Sequence, residues 1–394
     1  PPTLRRARTS WQGRPPVTAQ LAWDTSSPRH VVAILGGAVA GSETAALFAS
    51  RGVSAIVIEQ NDRPYGKIED GLPRWHEALR KKEYERIDQN LSEPGVVFLP
   101  QTRVGRDLSF DELIREWGVS AVVLANGAWR DRPLGVAGAD DYIGRGLVYQ
   151  NPLVYWFNHY PEATYAGPRY EIHDDGIVVG GGLASVDVVK ILNLEVYSRA
   201  LRARGIDVPP VELEHEGINT VLAKHGLTPA ALGVTGCTLY YRRRKGDMPL
   251  ASPPANATPE QLKKVEGTRA RLIDKVIEKY LVRFVECHLP IAPLIDGDRL
   301  VGLRFRRTEI RDGQVIERPG DEVDVRGGMV VSSIGSIPEL ITGIPAQGEL
   351  YRFADATTGS VDGLTGVYGL GNVLTGKGNI VASRKNAREV TSQL

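Results

Sequence analysis

Cysteine is nearly absent from this chain: two in 394 residues, Cys237 and Cys287, far apart and without a Cys-x-x-Cys pair. That excludes a dithiol redox centre and any four-cysteine iron–sulfur cluster built from this chain alone. It fits a reducing compartment, where thiols need no pairing, and the expected localisation is cytoplasmic. Each cysteine stands in an apolar, strand-like context and reads as a small core residue. Long apolar runs are missing as well. No stretch approaches the roughly 18 residues that a membrane span needs, so no membrane role is expected. Charge of one sign is also lacking. The formal net charge is +1, which does not suit a nucleic-acid binder, although local basic clusters exist.

What the chain has in abundance is glycine, 43 residues with 42% hydrophobic and 24% charged content, the composition of a globular protein with many tight turns. Its length suggests two domains, or one interrupted by another. Residues 1–28 differ from the rest. Pro1, Pro2, Pro15, Pro16 and Pro28 alternate with Arg5, Arg6, Arg8 and Arg14. No apolar run follows, so the stretch is expected to be an extended arm rather than a secretory signal.

The stretch "HVVAILGGAVAGSETAALFASRGVSAIVIE" at 30–59 orders strand, glycines, helix, strand and acid. Val31 to Leu35 has the continuous apolar character of a strand buried on both faces. Gly36 permits the tight turn, with Gly37 beside it. Ala38 leaves room for a pyrophosphate, and Gly41 lets helix and strand pack closely. The helix that follows aims its unpaired N–H groups and positive dipole end at the phosphates. Glu59 ends the second strand, where a carboxylate accepts from ribose hydroxyls. This order marks a dinucleotide site.

A second copy occurs at 176–192, "GIVVGGGLASVDVVKIL", with Gly180, Gly182 and Ser185 at the three fingerprint positions. It lacks the acid. The next strong strand, Cys237 to Tyr241, leads instead into Arg242, Arg243, Arg244 and Lys245, which suit a 2′-phosphate. The two sites therefore predict FAD in the first and NADPH in the second, with Arg243 as the main phosphate contact and Arg242 assisting. "VVLANGA" at 122–128, carrying Ala125 and Gly127, and "VVSSIGS" at 330–336 each end a strand in a small-residue turn. Near the C-terminus, "GVYGLGNVLTGKGNIVASRKNA" runs from strand through glycine-rich loop to helix, whose N-terminus is placed to stabilise negative charge on a flavin.

Together these residues resemble the adrenodoxin-reductase and glutamate-synthase small-chain group of two-dinucleotide-binding-domain flavoproteins, over about residues 30–390. "PYGKIEDGLPRWHEALRK" is similar to the group's glycine-rich segment beside the flavin. "YQNPLVYWFNHYPE", "LYYRRRKGDMPL" and "GLGNVLTGKGNIVAS" resemble further segments of its members. The resemblance implies an α/β fold of two Rossmann-like domains. The NADPH domain, 146–339, is inserted into a discontinuous FAD domain, 29–145 and 340–394. It implies FAD held by Gly36, Gly37, Ala38, Gly41, Glu59, Gly66, Ala125, Gly127, Gly371, Asn372, Gly378 and Ile380, and NADPH held by Gly180, Gly182, Ser185, Arg242 and Arg243. His76 would lie near the flavin. Asn372 stands where many members carry an acid, and the cysteine-rich module of glutamate-synthase small chains is absent. Residues 196–236 are expected to form a helical insertion.

The implied activity is hydride transfer from NADPH to FAD, then electron delivery to a ferredoxin-type iron–sulfur protein or another redox protein. A small-molecule or quinone reductase and a subunit active only within a complex are the alternatives. Arg80, Lys81 and Lys82, or Arg199, Arg202 and Arg204, would offer a basic face to an acidic partner. No metal site is expected.

Overall fold

The computed structural model describes residues 30–254 and 256–394, so the arm expected over 1–28 lies outside the described residues. The fold divides into two units. One holds the described residues up to Leu72 together with His76–Arg130 and Ser336–Leu394, and the other holds Pro73–Trp75 and Asp131–Gly335. In sequence, the second therefore interrupts the first. It begins earlier than the expected 146 for a packing reason: Leu134, Val136 and Ala139 are buried in one core with Leu147, Tyr149, Ile177 and Phe305.

The first unit opens with β1 (Val31–Leu35), α1 (Val39–Ser50), β2 (Ser54–Ile58), α2 (Glu77–Leu91), β3 (Val96–Leu99) and β4 (Ala121–Leu124). β1 pairs in parallel with β2 and with β4, Leu35 lying opposite both Ile58 and Leu124. Ala33, Ile34, Val57, Val122 and Val123 are fully or almost fully buried. A strand covered on both faces needs this unbroken apolar run rather than alternation.

The second unit continues with β5 (Leu147–Tyr149), α3 (Gln150–His159), β6 (Ile177–Gly180), α4 (Leu183–Arg202), β7 (Thr238–Tyr240), α5 (Pro259–Tyr280) and β8 (Arg283–Val285). Next come β9 (His288–Asp296), β10 (Arg299–Arg311), β11 (Gln314–Arg326) and β12 (Val330–Ser333). Its parallel sheet has the order β5-β12-β6-β7-β8. The expected helical insertion is present: after α4 come short helices at Pro210–Glu216, Ile218–Lys224 and Pro229–Leu232. α5 starts at a capping box, Thr258 with Gln261, and Pro259 supplies its preset first turn. The antiparallel meander β9-β10-β11 has no counterpart in the sequence reading. Its outer strand is largely exposed and charged, with Arg304 bound to Asp324 and Arg306 to Glu317 and Glu322, which discourages edge-to-edge pairing.

The chain then returns to the first unit with β13 (Phe353–Asp355), β14 (Ser360–Val361), β15 (Val367–Gly369) and α6 (Ile380–Thr391). Its sheet runs β13-β14-β15-β4-β1-β2-β3 among the described residues. Cys237 is buried, and burial pushes its thiol up to about 12. Cys287 departs from the core reading: it is half-buried in the turn between β8 and β9, at φ 56°. Among the described residues no helix is long and apolar enough to cross a membrane.

Candidate functional site

The first glycine turn is built by close approach. Gly36 has φ 103°, and a Cβ there would lie 2.7 Å from the Ala125 carbonyl oxygen. A Cβ on Gly41 would overlap the Gly36 carbonyl oxygen, so the third fingerprint position accepts no side chain. Gly66, at φ 51°, faces Ala38, and Gly371, at φ 69°, faces Ala40, with added Cβ atoms only 2.9 and 2.7 Å from their methyls. α1 starts at Ala38 with no side-chain cap and no acid in its first turn. Its N-terminal donors are left for an anion.

Glu59 follows β2 and is 4% exposed. Its Oε2 accepts the Gly37 N–H at 2.8 Å, and its Oε1 accepts the Asn61 N–H at 3.0 Å. Burial pushes the carboxyl above its ordinary value, against the pull of backbone N–H groups from Gly37, Asn61 and Gln60. Each carboxylate oxygen keeps a lone pair for a further donor.

A single cleft within this unit gathers Gly36, Ala38, Glu59, Gly66, Ala125, Gly127, Asn372, Gly378 and Ile380. Gly37, Gly41 and Gly371 are not among its lining residues: Gly37 supplies the donor to Glu59, and the other two allow the helices to close in. His76 is not among the lining either and is the N-cap residue of α2. The sequence reading missed Lys67, Arg103, Asn126, Trp129, Glu339, Asn379 and Ser383, all of which line the cleft. Lys67, Asn126, Asn379 and Ser383 lie within stretches already quoted, and Trp129 directly follows one. Arg103 and Glu339, paired at 3.1 Å, come from loops that carry no pattern. The Asn126 Oδ1 atom is buried without a hydrogen-bond partner. An open helix N-terminus, a buried acid, glycines in a cradle that a Cβ would fill and an unmatched acceptor together fit a dinucleotide such as FAD.

In the second unit Gly180 ends β6, and a Cβ there would overlap the Ser333 carbonyl oxygen at the end of β12. Gly182, the N-cap of α4, faces open space. Ser185 is fully buried, its Oγ donating to the Gly182 carbonyl at 2.6 Å. The Tyr241 ring packs on Gly181 so closely that a side chain there would strike it, a cover the sequence reading did not anticipate. Of the three arginines after β7, Arg244 is bound to Asp247 at 3.0 Å and Arg243 donates to the Gly313 carbonyl at 2.9 Å. Arg242 is exposed, and its guanidinium makes no hydrogen bond or ion pair among the described residues. The turn and these cations fit a 2′-phosphorylated nucleotide. No group of three or more His, Cys, Asp and Glu side chains suited to a metal ion occurs among the described residues.

No family model matches the chain. It is 30% identical over 172 residues to the mitochondrial NADPH:adrenodoxin oxidoreductase of Arabidopsis thaliana, covering 43% of this chain and 34% of the relative. It is 26% identical over 318 residues to NADPH-Fe(3+) oxidoreductase subunit beta of Geobacter sulfurreducens, covering 78% and 37%. A glutamate synthase (NADPH) small chain from Bacillus subtilis matches at 31% over 161 residues, covering 40% and 31%. The chain thus spans about a third of the length of these relatives. Mycobacterium tuberculosis FprA in complex with NADPH superposes with a TM-score of 0.70 at 20% identity, covering 93% of this chain and 84% of that one. The fold is that of the two-dinucleotide-binding-domain proteins. The resemblance to the adrenodoxin-reductase and glutamate-synthase small-chain group is carried by relatives of both kinds.

Proposed function

We propose that the chain is an FAD-dependent NADPH oxidoreductase that delivers electrons to an iron–sulfur protein of the ferredoxin type. The observation that carries this reading is the pair of glycine turns with opposite charge beyond their second strands, a buried Glu59 in one unit and Arg242–Arg244 in the other, of which Arg242 and Arg244 are exposed and Arg243 half-buried. In the first cleft, Glu59 accepts from the adenosine ribose, the first turn of α1 holds the pyrophosphate, and the Gly378–Ser383 segment runs along the flavin. In the second unit, the first turn of α4 holds the NADPH pyrophosphate and the arginines its 2′-phosphate. FAD, when bound, supplies the acceptance of a hydride and the release of electrons one at a time. Hydride transfer requires no acid or base from the protein, so these residues act by holding and orienting.

The names of the relatives, an adrenodoxin oxidoreductase and an Fe(3+) oxidoreductase, support a one-electron acceptor. With two cysteines in all, the chain offers no cluster of its own as a relay. The test is NADPH-driven reduction of a one-electron dye by the isolated FAD-loaded chain, with and without an added ferredoxin. Dye reduction accelerated by ferredoxin turnover supports the reading, and reduction confined to quinones overturns the acceptor. The Geobacter relative is named as a subunit, which favours activity within a complex as the second reading. An isolated chain that binds both nucleotides yet reduces nothing would point there.

A further inference from the structure

Three helices of the first unit meet at a cluster of buried charge outside the lining of the cleft. Glu43 of α1 and Glu83 of α2 are 5% and 2% exposed. Arg384 of α6 lies between them, its Nε 3.5 Å from Glu43 Oε2 and its Nη2 bound to Glu83 Oε2. Arg388 Nε donates to Glu43 Oε1 at 2.6 Å, and Arg86 Nη2 lies 3.3 Å from Glu43 Oε2. Burying such pairs is expensive, and a well-packed apolar set often gives equal stability. A guanidinium bonded to Glu83 of α2, with its Nε facing Glu43 of α1 beyond hydrogen-bond reach, gives something else: the Glu83 bond and the attraction to Glu43 are met together at one axial position of the helix that carries it.

That position matters because of what lies one residue earlier. Asn379, Ile380 and Ser383, the cap and first turn of α6, line the cleft, and Arg384 follows directly. From the same helix, Asn386 Oδ1 accepts the N–H of Gly371 at 2.6 Å, and Gly371 is the residue fitted against Ala40 of α1. Both α1 and α6 thus begin at the cleft, and one charge cluster fixes them to each other. A slip of a single residue along a helix is about 1.5 Å, enough to lose a hydrogen bond. We propose that Arg384 is a positioning residue for the cofactor: with Glu43 and Glu83 it sets the axial register of α6, so that the N–H groups of Ile380 and Val381 meet the bound flavin, that of Ala382 being held by Asn379 Oδ1. This rests on the reading of the cleft as the FAD site.

The test compares FAD-loaded wild type with Arg384→Lys, Arg384→Met and the charge-compensated double variant Glu83→Leu/Arg384→Met, which leaves Glu43 with Arg388 and Arg86. Three quantities are measured: FAD affinity from flavin fluorescence, the melting temperature of the apoprotein, and sulfite affinity. Sulfite adds to flavin N5 and leaves negative charge on the ring, so its binding reports a positive helix end aimed there. Arg384→Met should weaken both FAD and sulfite binding by roughly three- to tenfold, and Arg384→Lys should recover part of each. The double variant, an apolar pair in place of a buried ion pair, should recover the melting temperature but neither affinity. Unchanged affinities in Arg384→Met, or affinities that return with the melting temperature in the double variant, would make the cluster a packing device and overturn the proposal. A wild type that takes up no FAD overturns the reading of the cleft and this inference with it.

Discussion

The two units solve one problem twice, and they differ where the ligand is told apart. In both, a glycine at the end of the first strand touches the backbone at the end of the neighbouring strand, Gly36 against Ala125 and Gly180 against Ser333. In both, a helix starts there without a side-chain cap and without acids in its first turn. The third position already diverges. Gly41 leaves no space for a side chain, whereas Ser185 is accommodated by folding its hydroxyl back onto Gly182. Beyond the second strand the contrast is complete. Glu59 is buried and tied to two backbone donors, while Arg242 is exposed and Arg243 and Arg244 hold only surface partners. A buried acceptor within a deep cleft suits a cofactor that stays. A set of cations at the surface, Arg242 exposed and Arg243 half-buried, suits a coenzyme that comes and goes.

The largest expected effect attacks what the units share. Gly36→Val combines a positive φ with a collision against Ala125, a mechanism that costs several kcal/mol where neither side can move. The purified protein should be colourless, or largely insoluble. Gly180→Val should instead abolish NADPH binding while leaving a yellow protein. Absorbance at the flavin band and NADPH titration check both. Loss of FAD from the Gly180 variant would show that the two turns are not separable.

Next in size is the buried acid. Glu59→Ala removes a charged acceptor, worth roughly 1.5–3 kcal/mol, and strands the N–H groups of Gly37 and Asn61. FAD affinity should fall about ten- to hundredfold or more. The carboxyl also sets a pH dependence. Its value in the ligand-free fold is raised above the ordinary 4.5 by burial, so the folded apoprotein holds the proton more firmly than the unfolded chain. Apoprotein stability from this group is therefore fully present below the ordinary value and lost as pH rises through the raised one. FAD needs the ionised acceptor, so its binding should move the opposite way and weaken as pH falls through that interval. Glu59→Gln should flatten the profile. A wild-type FAD affinity that does not change on acidification would take Glu59 out of the ribose contact.

Coenzyme choice follows. A lost charge-assisted hydrogen bond costs roughly 1.5–3 kcal/mol, and only NADPH carries the 2′-phosphate. Arg242→Ala and Arg243→Ala should each lower kcat/KM for NADPH by about tenfold or more and leave NADH nearly unchanged. The sequence pattern favours Arg243 as the main contact. In the fold Arg242 has its guanidinium available, whereas Arg243 must leave the Gly313 carbonyl. The larger loss is therefore expected for Arg242. Equal losses with both coenzymes would make these arginines a protein-contact surface.

Much of this was legible in the sequence because a Rossmann turn is enforced locally. A strand that must touch its neighbour leaves only glycine at positions 36 and 41, and only small residues at 38 and 125. Those positions are visible without coordinates. The charge beyond the second strand was equally visible as Glu59 and Arg242–Arg244. What escaped depends on distant chain. Arg103 and Glu339 meet across the cleft from loops more than two hundred residues apart. The meander of β9 to β11 shows an apolar alternation only briefly, at Val301, Leu303 and Phe305 of β10, and its outer strand is patterned by cross-strand ion pairs instead. His76, expected near the flavin from the resemblance, stands at the N-cap position of α2 and is not among the residues lining the cleft. Which arginine is available could not be read either, because Arg244 is claimed by Asp247 and Arg243 by a hairpin carbonyl.

The smallest expected effect asks which unit an acidic electron acceptor meets, and the fold narrows the candidates on each. On α2, Arg80 is turned onto the Tyr84 hydroxyl and the Glu69 carbonyl, whereas Lys82 is exposed and Lys81 has only a distant pair, Glu85 at 4.0 Å. On α4, Arg202 is bound to Asp207, and Arg204, just beyond it, to the Ala231 carbonyl. The exposed Arg199 guanidinium makes no hydrogen bond or ion pair among the described residues. The comparison therefore reduces to Lys81→Glu/Lys82→Glu in one unit and Arg199→Glu in the other. Reversing an exposed charge at a docking rim acts mainly through the association rate. The face that receives the acceptor should show ferredoxin reduction slowed about two- to fivefold at low salt, with the difference fading near physiological ionic strength as the Debye length shortens to about 8 Å. Dye reduction by the same variants should be unchanged, since a small acceptor is not steered. If neither variant alters the salt profile, the acceptor is small and neutral. If both do, the partner contacts both units.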